Sequence, residues 1–236
     1  MISQKEILIG DVSPFSIVDF PSHIAVVAFL QGCPWRCPFC YNASLQPLKN
    51  TDESIWTADK FFKFIEKRKG MLDAVVFSGG EPLVQEGLYN AVQKAKDMGY
   101  MVGLHTGGYR PEHLRKVLPL LDWVGLDIKG PKAKYKALTG GFDAFDAMGK
   151  SLDLLLQSGI HFECRTTCDP RELTVDDLFE LGAFLKNKGV KEYYLQKYRP
   201  IESDKSTTDT VCESLISDEK LISFLSGAFE KFEVRR

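Results

Sequence analysis

The stretch Ile24-Ala25-Val26-Val27-Ala28-Phe29-Leu30, followed by Gln31-Gly32-Cys33-Pro34-Trp35-Arg36-Cys37-Pro38-Phe39-Cys40, couples an apolar run to three closely spaced thiols. The apolar run reads as a buried strand. A loop leaving the carboxyl end of that strand can aim all three sulfurs at one small object. Structural zinc usually takes four protein ligands, and common iron–sulfur clusters take four thiolates. A triad is one short, which points to a [4Fe–4S] cluster with one iron left open. The alternative is a zinc site completed by Cys164 or Cys168. Against it, the sequence has no second Cys-x2-Cys pair, and those thiols would have to reach across from a distant strand.

Outward from this stretch the chain alternates. Apolar runs at 24–30, 73–77, 101–105, 122–128, 160–166 and 191–196 read as strands. Helical patterns lie between them near 57–69, 85–98, 110–119, 143–158 and 174–188, with a last one at 217–230. Thr57 is placed as an N-cap, and Gly70, Gly99, Gly159 and Gly189 fall where helices end. Strand then helix, repeated, predicts an α/β fold with parallel strands and right-handed crossovers. Six units fall short of a closed eight-fold barrel, leaving a partial (β/α)6 barrel or a doubly wound sheet. A single domain over 1–236 is expected, with a lead-in at 1–23, a core at 24–200, and a polar loop and C-terminal helix at 201–236. Pro14 and Pro21 make the lead-in read as irregular or as a short strand, and Glu202 to Thr210 reads as a mobile loop.

Thirty basic against thirty-two acidic side chains leave a net charge of −2, so there is no electrostatic footprint for nucleic acid. Lys60–Lys69 carries its aromatic residues at helical spacing and reads as a helix with a solvated face. The longest apolar run is too short to span a bilayer, and the first ten residues do not read as a signal peptide. The expectation is a cytoplasmic protein with no membrane and no nucleic-acid partner, its six cysteines reduced.

In either architecture function sits at the carboxyl ends of the strands. The unusual residues collect there: the cysteine loop, Ser78-Gly79-Gly80-Glu81-Pro82, His105-Thr106-Gly107-Gly108, Asp127 with Lys129, Arg165 to Cys168, and Gln196 to Pro200. Such clustering argues for one shared pocket.

Cys33-x3-Cys37-x2-Cys40, with Phe39 before the last cysteine and Gly79-Gly80-Glu81-Pro82 in the next loop, resembles the radical S-adenosylmethionine (SAM) superfamily. The resemblance covers nearly the whole chain and implies a partial (β/α)6 TIM-like barrel with the cluster loop after its first strand. It implies that Cys33, Cys37 and Cys40 hold three irons of a [4Fe–4S] cluster while the amino and carboxylate groups of SAM chelate the fourth. One electron then cleaves the sulfonium to methionine and a 5′-deoxyadenosyl radical.

Asp19-Phe20-Pro21, Leu30-Gln31-Gly32-Cys33, Cys40-Tyr41-Asn42, and Leu126-Asp127-Ile128-Lys129 with Leu138-Thr139-Gly140 are similar to the activating proteins of glycyl-radical enzymes. So are Leu195-Gln196 and Tyr198-Arg199-Pro200. The nearest resemblance is to those serving anaerobic ribonucleoside-triphosphate reductase. It implies a large glycyl-radical enzyme as partner and an external one-electron donor such as flavodoxin or ferredoxin. Two alternatives stand beside it. A small-molecule enzyme such as a 7-carboxy-7-deazaguanine synthase is disfavoured by Leu138-Thr139-Gly140 and Gln196. A non-catalytic metal-binding or electron-carrier protein is disfavoured by Gly79-Gly80-Glu81-Pro82.

Roles follow from the resemblance and from residue chemistry. Phe39 is expected beside adenine. Gly79, Gly80 and Glu81 are expected at the SAM ammonium, where glycines allow close backbone approach and a carboxylate supplies charge. Thr106 and Gly107 would lie near the ribose and methionine parts. His105 departs from relatives that carry an Asp helping to bind a monovalent cation, so no alkali ion is expected. Asp127 and Lys129 alternate along a strand and should face the same side. A buried carboxylate and ammonium are costly unless paired or liganded, which points to SAM or the partner backbone. Arg165 is expected at the SAM carboxylate, and Gln196 at adenine or the incoming loop. Cys164 and Cys168 read as ordinary thiols, and Cys212 as incidental in the polar loop.

Overall fold

In the computed structural model, which describes residues 6–48, 56–200 and 206–236, the opening apolar run is strand β2 (Ala25–Leu30). It is preceded by β1 (Ile9–Ser16), which pairs with it antiparallel. Helix α1 (Ala58–Glu66) follows, then β3 (Ala74–Gly79), α2 (Leu88–Asp97), β4 (Met101–Thr106), α3 (Pro111–Val117) and β5 (Trp123–Asp127). Next come α4 (Lys132–Leu138), α5 (Phe145–Ser158), β6 (His161–Cys168), α6 (Val175–Lys188) and β7 (Glu192–Lys197). The chain closes with α7 (Asp209–Ile216), α8 (Glu219–Ala228) and β8 (Lys231–Arg235).

The eight strands form one sheet in the order β1 to β8, with β2 to β8 parallel. An unreversed order excludes the doubly wound alternative, whose strand order must switch direction. The result is a partial TIM-like barrel of six β/α units, β2 to β7, flanked by two extra strands. Thr57 caps α1 through its hydroxyl, which accepts from the Lys60 amide at 3.1 Å, and α5 and α6 end at Gly159 and Gly189 as expected.

Four details differ from the sequence expectation. The lead-in is a full strand, and Pro14 is tolerated because β1 is a sheet edge whose register shifts between Ser13 and Ser16. Helix α4 was not anticipated, since its seven residues show only Tyr135 and Leu138 at helical spacing. The tail carries two helices and a strand instead of one helix over 217–230. Cys212 lies buried on α7, not in a polar loop. Of the expected mobile loop, residues 202–205 lie outside the described residues, while Thr208 is the N-cap of α7. Among the described residues no helix is long and apolar enough to cross a membrane.

Alternation along the strands divides the core in two. Val26, Ala28, Leu30, Val75, Phe77, Val102, Leu104, Val124 and Leu126 face outward into the layer shared with the helices. Ala25, Val27, Ala74, Val76 and Trp123 face inward and, with Phe20 from the lead-in, form an apolar plug. Phe20 is 5% exposed and sits 5.7 Å from the Trp123 ring. The plug fills the amino end of the barrel, so the cavity opens at the carboxyl end. Phe20→Ala is expected to destabilise the fold by about 3 kcal/mol in denaturant titration, the usual cost of emptying a buried aromatic site.

Candidate active site

The cysteine loop is held by backbone hydrogen bonds to two segments, Leu45-Gln46 and Thr139. The Gly32 amide donates to the Leu45 carbonyl (2.7 Å), the Cys33 amide to Gln46 (3.0 Å) and the Arg36 amide to Thr139 (3.1 Å). Arg36 Nη1 turns back onto the carbonyls of Cys33 (2.8 Å) and Trp35 (2.7 Å). Leu138-Thr139-Gly140 is therefore a brace beneath the thiols. Beyond Cys40, the Tyr41 hydroxyl accepts from the Arg199 amide (2.7 Å) and its ring stacks on Tyr198. Asn42 donates from Nδ2 to the Gly79 carbonyl (3.3 Å).

All three thiols line one cavity of about 570 Å³ at the carboxyl ends of the strands. Phe39, Gly79, Gly80, Glu81, Thr106, Gly107, Asp127, Lys129, Arg165 and Gln196 line it too, so every expected site residue is brought to the same space. Trp35, Ser78 and His105, whose stretches the sequence brings to this pocket without giving them a ligand, also line it, as do Asp19 and Arg235, which the sequence does not place there. Their signal is weak because their partners come from remote segments.

Glu81 is 1% exposed, and its carboxylate is turned into the protein. It accepts from the Leu83 amide (3.0 Å), the Thr106 hydroxyl (2.5 Å) and the Gly107 amide (2.8 Å). Burial raises its pKa, while those three donors oppose the rise. Glu81 thus fixes the turn after β4 as well as facing the cavity. Gly107 has no room for a side chain, because a Cβ there would run into the Trp35 ring.

The polar array stands on β4, β5 and β6. Arg165 donates from Nε to Asp127 Oδ1 at 2.8 Å, and its Nη2 lies 2.8 Å from the same oxygen. Lys129 Nζ lies 3.6 Å from Asp127 Oδ2, so Asp127 and Lys129 do face the same side. Burial would raise the Asp127 pKa, but the charges of Arg165 and Lys129 hold it below the ordinary carboxylate range. Burial works most strongly against the Lys129 ammonium, but Asp127 together with Cys37, Cys33 and Glu81 outweighs it, so its pKa is raised and the lysine stays charged. Gly125 leaves the space that the Arg165 guanidinium occupies.

His105 donates from Nε2 to the Asp19 carbonyl (2.9 Å), with Nδ1 3.4 Å from the Ser78 hydroxyl. Its Nε2 is 3.4 Å from Arg165 Nη1. Burial, then the charge of Arg165, brings its pKa down to about 4. It is a neutral hydrogen-bonding side chain at neutral pH.

Cys33, Cys37 and Cys40 are free thiols. Burial pushes Cys33 up to about 12, opposed by the Trp35 amide and Lys129, and burial raises Cys37 as well. A bound metal must displace these protons. Among the described residues no three His, Cys, Asp or Glu side chains gather as one ion would need. Three separate sulfurs facing one cavity suit a group that takes one thiolate per iron, and the donor set fits a [4Fe–4S] cluster. Cys164 and Cys168 are fully buried in the outer hydrophobic layer, so they do not complete a zinc site with the loop.

The His105 pKa fixes a pH dependence. The unfolded chain protonates this ring below about pH 6.5, whereas the folded chain does so only near pH 4, so stability is lost as pH falls through that window. The full loss is of order 3 kcal/mol. His105→Gln is expected to flatten the difference in urea stability between pH 6.5 and pH 4.5 relative to the parent.

Three comparisons bear on this site. A model of the radical SAM superfamily matches residues 27–185. A Methanocaldococcus jannaschii protein, named by assignment as a glycyl-radical enzyme activating enzyme, is 28% identical over 200 residues, covering 82% of this chain and 80% of its own. The pyruvate formate-lyase-activating enzyme of Clostridium pasteurianum is 34% identical over 147 residues, 58% of this chain and 60% of its own. The crystal structure of Streptococcus suis SuiB bound to S-adenosylmethionine superposes with a TM-score of 0.63 at 16% identity over 87% of this chain, which spans under half (45%) of SuiB. That superposition speaks for the fold. The superfamily uses a [4Fe–4S] cluster with SAM, and the model match runs from the strand before the thiols through most of the barrel: the chain belongs to the radical SAM superfamily and is a radical SAM enzyme.

Proposed function

We propose that this enzyme is an activase that generates a glycyl radical on a partner protein, with anaerobic ribonucleoside-triphosphate reductase as the first candidate partner. The observation that carries the reading is the convergence of three free thiols, the Gly79-Gly80-Glu81 turn and the Asp127–Arg165–Lys129 array on one cavity. The kinship with proteins named as activating enzymes supports the activase class. The sequence resemblance favours the reductase, while the pyruvate formate-lyase-activating relatives favour a different glycyl-radical enzyme, and the test below separates the two.

In this reading Cys33, Cys37 and Cys40 hold the cluster, which together with SAM supplies one-electron cleavage and hydrogen-atom abstraction. The chain's own contribution is positioning and exclusion, as in cofactor enzymes generally. Glu81 keeps Thr106 and Gly107 at the cavity wall, where they and the Gly79-Gly80 backbone offer hydrogen bonds to the amino-acid part of SAM. Lys129 and Arg165 supply positive charge for a carboxylate. Phe39, 5% exposed and lining the cavity, offers an apolar face for adenine. Gln196, at the end of β7, is available to adenine or to the partner's loop. The electron comes from an external donor of the flavodoxin or ferredoxin kind.

The test uses anaerobically reconstituted, reduced chain with SAM and, in separate reactions, an anaerobic ribonucleotide reductase and a pyruvate formate-lyase from the same source. A glycyl doublet in electron paramagnetic resonance is expected with the reductase and absent with Cys37→Ala. A doublet on the lyase alone would replace the partner. SAM cleavage with no doublet on either would end the activase reading.

A further inference from the structure

Two carboxylates flank Arg165. Asp127, its register partner on β5, accepts from Nε at 2.8 Å and lies 2.8 Å from Nη2. Glu163, two residues earlier on the same strand, has its Oε1 4.0 Å from the remaining nitrogen, Nη1, beyond hydrogen-bond reach. Residues two apart on a strand share a face, so both acids stand beside one guanidinium. Such a cation is drawn to whichever carboxylate has no other partner, because an unpaired buried charge is the costliest arrangement.

Arg235 decides between them. Glu163 is 1% exposed and is not among the residues that line the cavity. Arg235 takes both of its oxygens, Nη1 on Oε1 at 2.5 Å and Nη2 on Oε2 at 2.8 Å. Strand β8 pairs with β7 alone, so this side chain has to span a strand to reach β6. It crosses over Tyr194 of β7, itself 1% exposed, with the guanidinium carbon 3.7 Å from the ring centroid. The bidentate grip and the ring behind it hold the arginine in one place. The result is a line of alternating charge, Arg235, Glu163, Arg165, Asp127 and Lys129, that ends where Lys129 Nζ comes within 3.6 Å of Asp127 Oδ2.

We propose that Arg235 is a positioning residue for the SAM site: by occupying Glu163 it keeps Arg165 on Asp127, and so holds the array that receives the ligand carboxylate. The inference rests on the reading above that Lys129 and Arg165 supply charge for that carboxylate. Without Arg235, Glu163 is a buried carboxylate with Arg165 as its neighbouring cation. A shift of about 1 Å joins the two in a hydrogen bond. Asp127 then keeps Lys129 alone, and the donors no longer stand where the ligand meets them. Arg235 also lines the cavity, so direct contact with the ligand is the rival account.

The experiment measures dissociation constants of SAM and of decarboxylated SAM by equilibrium dialysis, on reconstituted, oxidised chain with all variants matched for iron content. Arg165→Gln is read first. Unchanged SAM binding there overturns the carboxylate reading and this inference with it, whereas a loss isolates the inference. Arg235→Gln is expected to bind SAM about tenfold more weakly, a coupling usual between groups of one ion network, with little change for the decarboxylated analogue. Adding Glu163→Gln to Arg235→Gln removes the competing charge and is expected to restore most of the SAM affinity. A double variant as weak as Arg235→Gln would overturn the proposal, since Arg235 would then touch the ligand itself or only pin β8. So would equal losses for both ligands, or parental SAM affinity in Arg235→Gln. If Arg235→Gln does not fold, Arg235→Lys keeps the charge but gives up the bidentate grip. It is expected to weaken SAM binding by a smaller factor that Glu163→Gln again recovers, and parental affinity overturns the proposal.

Discussion

A carboxylate with almost no access to solvent holds the catalytic end of this barrel together. Glu81 joins three strand ends: its amide donates to Gly32 after β2 (2.9 Å), while its side chain takes the Thr106 hydroxyl and Gly107 amide after β4. Burying an unpaired carboxylate is prohibitive, but hydrogen bonds to a charged acceptor are each worth about 1.5–3 kcal/mol. Three donors make the burial tolerable and give the turn a single geometry. The chain of dependence runs further, since Gly107 is the surface on which Trp35 rests, and Trp35 lies inside the cysteine loop. The shape of the thiol loop is thus tied through Gly107 to the position of one carboxyl group.

The barrel interior follows the same economy on a larger scale. Its amino end is filled by Phe20, Val27, Val76 and Trp123, none of which carries a charge. Toward the carboxyl end the inward positions become charged, and each buried charge is matched. Glu163, 1% exposed, receives both guanidinium nitrogens of Arg235, which also lies 3.7 Å over the Tyr194 ring. A bidentate pair with a cation–π contact behind it pins β8 onto the sheet. Arg165 continues the sequence on the same strand as Glu163, with Asp127 as its counter-ion. Apolar plug below and paired charges above leave the cavity only one end at which to form.

Much of this was legible in the chain because it depends on local periodicity. Strands buried on both faces give the continuous runs at 24–30 and 73–77, and Asp127, the last residue of β5, shares a side with Lys129 just beyond the strand. What stayed hidden depends on partners far away in sequence. Glu163 reads as one acidic residue on an apolar strand until Arg235, 72 residues later, is seen to meet it. His105 gave no sign that the Asp19 backbone would satisfy its ring. The role of Glu81 was legible only in part. Its place beside the cysteine loop could be read from the Gly79-Gly80-Glu81-Pro82 stretch, but not the inward turn of its carboxylate. Strand β8 alternates over five residues only, too few to stand out after a helix.

The pairing of Lys129 and Arg165 with one carboxylate has a consequence for any anionic ligand in the cavity. Two buried cations without a counter-charge would cost several kcal/mol each, so Asp127 is what keeps them in place before a ligand arrives. A ligand carboxylate entering beside them adds a second acceptor to donors that are already oriented. The Arg165 fork keeps Nη1 beyond the Nε and Nη2 spent on Asp127, and the Lys129 ammonium, at 3.6 Å, is only loosely engaged. Little side-chain freedom is then lost on binding, and preorganised charge of this kind is most effective where water is excluded. For chemistry that must expose one reactive centre to one C–H bond and nothing else, a site with fixed charges serves better than one assembled on contact.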